Sequence, residues 1–89
     1  MTKAQDLLLE AWKVMETRGQ QYGDAGRHYE ELAKLFNCYF YTETTPRDVV
    51  MRNVLEKLDR IRRTDFEDPA FRDSFIDAIN YLAIAWAVS

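Results

Sequence analysis

The C-terminal stretch of the chain constrains the fold more than any other part. From Phe71 to Val88 nearly every residue is apolar, yet Asp73, Asp77 and Asn80 interrupt the run. At roughly 100° per residue on a helix, these three fall within one narrow wedge. A helix apolar on its other sides belongs in the centre of a bundle or at a subunit interface. Burying carboxylates is costly unless they are paired or bind a metal, so the wedge needs something to compensate it.

An earlier segment carries a matching pattern. Asn53, Lys57 and Arg60 repeat the spacing of four then three and therefore share a helix face. If the two stripes meet, Lys57 and Arg60 are expected to pair with Asp73 and Asp77. Two readings follow. The first is a buried salt-bridge network that sets how the helices register. The second is a cleft whose charges hold a phosphate, a ribose or a metal ion.

The rest of the chain reads as helix as well. Ala4, Leu7, Leu8, Ala11, Val14 and Met15 recur at spacings of three and four behind a Thr2 cap, with Gly19 as the stop. Tyr29, Leu32, Ala33, Phe36, Tyr39 and Phe40 form a second stripe, capped by Asp24. Thr45-Pro46-Arg47-Asp48 and Asp68-Pro69 each place a capping side chain before a proline, which marks a helix start. The third stripe is Val50, Val54, Leu55, Leu58 and Ile61. The expected fold is all-α, a compact four-helix bundle forming one domain over 1–89, with helices over about 2–17, 25–41, 46–63 and 69–88. No segment alternates with period two and no hairpin signal occurs.

Composition narrows the function classes. With 12 basic and 15 acidic side chains, the net charge of −3 argues against a protein that grips long nucleic acid through a basic face. A small nucleotide remains open, because it needs only a few well-placed cations. Cys38 is the single cysteine, so no disulfide forms within the chain, and its aromatic neighbours lead to the expectation of a buried thiol. No secretory signal is read at the start. The apolar run Phe75 to Val88 is shorter than the roughly 20 residues of a membrane span and contains Asp77 and Asn80. The expected location is the cytoplasm, that of an infected bacterial host if the chain is phage-encoded, with no membrane partner.

Several residues are candidates for chemistry. Two carboxylates four apart on one helix, with another from a second helix, can bind magnesium. Asp73 and Asp77 with Glu31 (or its neighbour Glu30) are the candidate metal ligands, although cations beside the aspartates compete for them. His28, the single histidine, falls in the first turn of the second helix, where a donor can meet a phosphate; the plainer alternative is a surface or capping role. The segment Arg18 to Gly26 holds all 3 glycines. Within it Asp24 can cap the second helix, and Tyr22 can either plug the core or stack on a base. Trp12 and Trp86 read as core or interface residues. A glycine-rich phosphate loop with a lysine, a nucleophile elbow, paired cysteines and a basic recognition helix are absent from the sequence.

The order of motifs has a family likeness. Arg18-Gly19-Gln20-Gln21-Tyr22-Gly23-Asp24 is followed by an aromatic helix, Thr45-Pro46-Arg47-Asp48-Val49-Val50, Lys57 with Arg60, and Arg72-Asp73-Ser74 with Asp77 and Tyr81. This resembles a family of small, mostly phage-encoded helical domains of unknown function, and the likeness extends from about Leu7 to Ala85. It is also similar to phage nucleotide-modification-associated domains and, more distantly, to MazG-like nucleotide pyrophosphohydrolases. The MazG-like resemblance implies magnesium-dependent hydrolysis of a nucleoside triphosphate to monophosphate and pyrophosphate. Those enzymes carry Glu-x-x-Glu on one helix and Glu-x-x-Asp on the next. Here the second helix has adjacent Glu30 and Glu31, the fourth has Asp73-x-x-x-Asp77, and Glu56-x-x-Asp59 stands on the third beside Lys57.

That departure favours a binder over a hydrolase. The expected function is a phage-type protein that holds, and sequesters, a nucleotide or nucleotide-derived signal. Lys57, Arg60 and His28 would neutralise phosphates and Tyr22 would contact the base. Asp24 belongs to the same ligand-binding set through its loop, while Asp73 and Asp77 would orient the cations or accept ribose hydroxyls. The alternatives are the magnesium-dependent pyrophosphohydrolase and a structural adaptor without a small ligand. A homo-oligomer is expected, because short helices with this many aromatics leave apolar surface uncovered.

Overall fold

Local chemistry starts each helix where the sequence marks it. The computed structural model describes residues 1–18 and 25–89. Helix α1, Lys3–Thr17, begins at a reciprocal cap: Gln5 N–H donates to the Thr2 hydroxyl, and Thr2 N–H donates to the Gln5 side chain. The Gly19 stop, Tyr22 and the Asp24 cap lie outside the described residues. Helix α2, Ala25–Phe40, ends one residue before the expected Tyr41, which takes a left-handed φ of 55°. Asn37 then closes the connection. Its Oδ1 accepts Thr44 N–H at 2.6 Å, and its Nδ2 donates to Thr44 O at 3.0 Å.

Helix α3, Pro46–Arg63, has a second reciprocal cap between Thr45 and Asp48. Those hydrogen bonds from Thr45 hold the Asp48 carboxyl below its ordinary value of 3.8, with help from Arg47 and Arg52. Arg60, Arg62 and Arg63 occupy the last turn, where positive charge complements the helix dipole. Helix α4, Pro69–Ala87, is capped by the Asp68 carboxylate, which accepts Ala70 N–H at 2.9 Å. Among the described residues there are four helices and no strand. None of those helices is long and apolar enough to cross a membrane.

Helices α3 and α4 share the largest interface; α2 packs on α3, and α1 packs on α4. The core is Tyr29 and Ala33 of α2, Val49 and Val50 of α3, and Ile84 and Ala85 of α4. Met15, Leu32, Phe36 and Tyr81 pack around it. The bundle is drawn out, 44 × 28 × 17 Å. Its radius of gyration of 14.5 Å exceeds the roughly 12 Å usual for this length.

Elongation leaves apolar side chains outside. Leu8, Tyr39, Phe40, Leu55 and Leu58, all expected on inward stripes, are exposed, and so are Trp12 and Trp86. On each helix the apolar arc is wider than the neighbouring helix covers, so its flank stays in solvent. Val49, absent from the expected stripe, is buried in place of Leu55 and Leu58. Cys38 is exposed, which overturns the expectation of a buried thiol. Two residues beyond Phe36, it points to the opposite side of α2, so its aromatic sequence neighbours do not enclose it.

Candidate functional site

The polar seam lies between α3 and α4. Five residues, Thr64 to Asp68, separate the two helices, a link short enough to turn them antiparallel. Lys57 Nζ meets Asp77 Oδ2 at 3.1 Å, and the two side chains are 19% and 26% exposed. From the C-terminal cap of α1, Arg18 Nη1 approaches Asp77 Oδ1 at 3.9 Å. Asp77 is therefore held between two cations from two helices.

The antiparallel register brings Asn53 and Asn80 to the same level, one turn beyond this pair. Asn53 Nδ2 donates to the Tyr29 hydroxyl at 3.3 Å, tying α2 to the seam. Asn80 is 3% exposed, and its Nδ2 has no hydrogen-bond partner among the described residues. At the other end, the same register carries Arg60 and Asp73 towards each other. Both are exposed, and neither forms an ion pair among the described residues.

Arg60 and Asp73 line a cleft of about 340 Å³ between α1, α3 and α4. Glu10, Val14 and Arg18 supply the α1 wall; their spacing of four places them on one face. Arg60 comes from α3, and Arg72, Asp73, Ser74 and Asp77 come from α4. Arg72 likewise has no ion pair among the described residues. The buried Ser74 hydroxyl is satisfied within α4, donating to Ala70 O at 2.9 Å.

The remaining candidates lie elsewhere. Lys57 is not among the residues lining the cleft; its ammonium is occupied by Asp77. His28 is exposed on α2, edge-on to Tyr29 with ring centroids 5.0 Å apart, and among the described residues α2 supplies no wall of the cleft. Glu31 is exposed and paired with Arg27 at 3.2 Å. Among the described residues no three histidine, cysteine or acidic side chains gather where a metal ion could be held, so Glu31, Asp73 and Asp77 do not converge. Asp59, at the end of the Glu56-x-x-Asp59 spacing, is gripped by Arg62 at 2.6 Å and Arg63 at 2.9 Å. The Arg62 hydrogen bond, with Arg63, holds its carboxyl below the usual 3.8. Tyr22 and Asp24 lie outside the described residues.

Sequence reasoning passed over Glu10, Arg18 and Arg72 as site residues. The row Glu10, Val14, Arg18 was legible by spacing, but a helix surface rich in charges hides one functional row among several. Arg72 adjoins Asp73 and points roughly 100° away from it, so wedge geometry alone does not select it.

The chain is similar to the Gene 55 protein of Mycobacterium phage D29, 29% identical over 79 residues that make up 88% of this chain. It spans half the length of that relative. No solved structure matches it. The match that covers nearly the whole molecule runs over residues 6–89, α1 from its second turn, the other three helices and the cleft between them included, and by it the chain belongs to the family described as Domain of unknown function (DUF6378).

Proposed function

We propose that this protein binds a nucleotide or nucleotide-derived small molecule in the cleft between α1, α3 and α4 and holds it without transforming it. The observation that carries this reading is the pair Arg60 and Arg72, two guanidinium groups with no ion pair among the described residues, on the walls of one cleft. A guanidinium is a planar fork of donors that matches phosphate oxygens two at a time. The cleft volume of about 340 Å³ falls at the small end of the roughly 300–1,000 Å³ usual for ligand pockets.

Roles divide by what each side chain already touches. Arg60 and Arg72 would hold phosphate, and exposed Asp73 would accept ribose hydroxyls. Asp77, bound by Lys57, would keep Arg18 at the cleft wall rather than meet the ligand itself. Tyr22 follows Arg18 by four residues and is the candidate for contact with the base. Likeness to a phage protein supports the interior of an infected host cell as the place where it would act.

The test is a thermal-shift screen against nucleotides and cyclic nucleotides, in chelator and in magnesium, since a ligand bound only by the folded state raises its melting point. The expected result is a shift that survives chelation, with the ligand recovered intact after denaturation. Losing either arginine is expected to weaken binding about tenfold or more, the worth of a hydrogen bond to a charged group. No shift with any ligand would contradict the proposal. Turnover that needs magnesium would assign the MazG-like hydrolysis in its place.

A further inference from the structure

The outer side of α4 carries a second pattern, independent of what the cleft binds. Phe75, Ile79, Leu82 and Trp86 are spaced four, three and four, which keeps them on one face of the helix. Phe75 and Ile79 are half-buried, Leu82 is exposed, and Trp86 is 83% exposed. From Ser74 to Ala87 the single charged residue is Asp77, which is turned inward to Lys57. The stripe therefore offers apolar area with no charge to desolvate.

Its spacing reads the same in both directions. If two copies of α4 pack antiparallel about a twofold axis between Ile79 and Leu82, Ile79 of one copy opposes Leu82 of the other. Phe75 then opposes Trp86, about 8 Å from the axis along the helix. Phe75 also borders a groove of about 790 Å³ lined by Ala4, Leu7, Phe66 and Phe71 together with the charged Lys3, Asp6 and Arg72. An exposed indole at one end of the stripe and the aromatic part of this groove at the other are mutually complementary under that axis. A twofold interface demands this self-complementarity.

Area leaves room for such a contact. The chain exposes 6825 Å². A folded monomer of 10.5 kDa is expected to expose roughly 5,400 Å². The surplus of about 1,400 Å² exceeds the roughly 800 Å² per partner that a standard stable interface buries.

We propose that the outer face of α4 docks a second copy of this chain, antiparallel, with Trp86 of each copy seated at the Phe66–Phe71–Phe75 groove of the other. Arg72 lines both that groove and the ligand cleft, so the dimer contact and the ligand site share one side chain.

Sedimentation equilibrium of the full chain, with Leu82→Glu, Trp86→Ala and a Leu35→Glu control on α2, tests this. The wild type is expected at twice 10.5 kDa. Leu82→Glu should raise the dissociation constant about a hundredfold, as loss of a central anchor does. Leu35→Glu should leave it unchanged. In a Trp12→Phe background, Trp86 fluorescence should shift to the red on dilution. Should Leu82→Glu lose its helical circular dichroism, Trp86→Ala decides, because Trp86 is mostly exposed within its own subunit. A wild type that is monomeric at about 100 μM would overturn the proposal. A dimer indifferent to both α4 substitutions, or one broken by Leu35→Glu, would also overturn it.

Discussion

Helix α4 presents two faces built by opposite chemistry. The inner wedge is polar and runs from exposed Asp73 through part-buried Asp77 to buried Asn80, whereas the outer stripe is apolar and runs from half-buried Phe75 and Ile79 to exposed Leu82 and Trp86. On an isolated soluble helix the two would be exchanged. The inner face is compensated within the subunit where Lys57 and Arg18 reach Asp77. On the outer face Leu82 stays 48% exposed and Trp86 83% exposed. Polar groups inside and apolar groups outside mark the two places where this small fold departs from what stability alone would select.

Breaking the inner face has the largest expected effect on the subunit itself. Asp77→Ala strands the mostly buried Lys57 ammonium and should cost about 2 kcal/mol. For a domain of this size that lowers the melting temperature by roughly 10 °C at any protein concentration. Trp86→Ala on the outer face offers the contrast. It should leave the subunit's own packing intact and lower the melting point only through loss of the dimer, so its effect should grow with protein concentration. A melting series at several concentrations separates the two faces.

Smaller changes sharpen the contrast. Thr45→Ala removes a helix cap far from both faces and should cost about 1 kcal/mol, measured by urea unfolding. Asn80→Leu removes a buried amide whose Nδ2 lacks a partner among the described residues. It should be neutral or stabilising by about 0.5–1 kcal/mol, in contrast to Asp77→Ala on the same wedge.

The smallest effect is on pH dependence. The carboxyls of Asp48 and Asp59 titrate below their ordinary 3.8 in the folded state. A lowered folded value means that their contribution is present above pH 3.8 and is lost as pH falls through the lowered values. Acid unfolding should therefore include a step below about pH 4, reduced in Thr45→Ala and Asp59→Asn.

Helix starts were legible in the sequence because a cap is local. Thr2 with Gln5, Thr45 with Asp48, and Asp68 before Pro69 each satisfy backbone donors within a few residues. The meeting of Lys57 with Asp77 was legible too, because two stripes of equal spacing on helices joined by a short link have few other ways to meet. The expected pairing of Arg60 with Asp73 was not borne out as an ion pair, because at this end of the seam the helices flank an open cleft. Leu55 and Leu58 were misread because period gives the direction of a side chain, not how far a neighbouring helix extends to cover it, and Cys38 was misread because sequence neighbours on a helix point to different sides. Arg18 and Arg72 escaped because their place at the cleft depends on three helices converging.

The most direct test of the ligand site is titration calorimetry of the full chain with a panel of nucleotides in chelator, wild type against Arg60→Ala and Arg72→Ala. Saturable binding by the wild type, weakened about tenfold or more in each variant, is the result expected of a cleft that grips phosphate through those two guanidinium groups. Equal affinity in all three proteins, or no binding by the wild type, would contradict it.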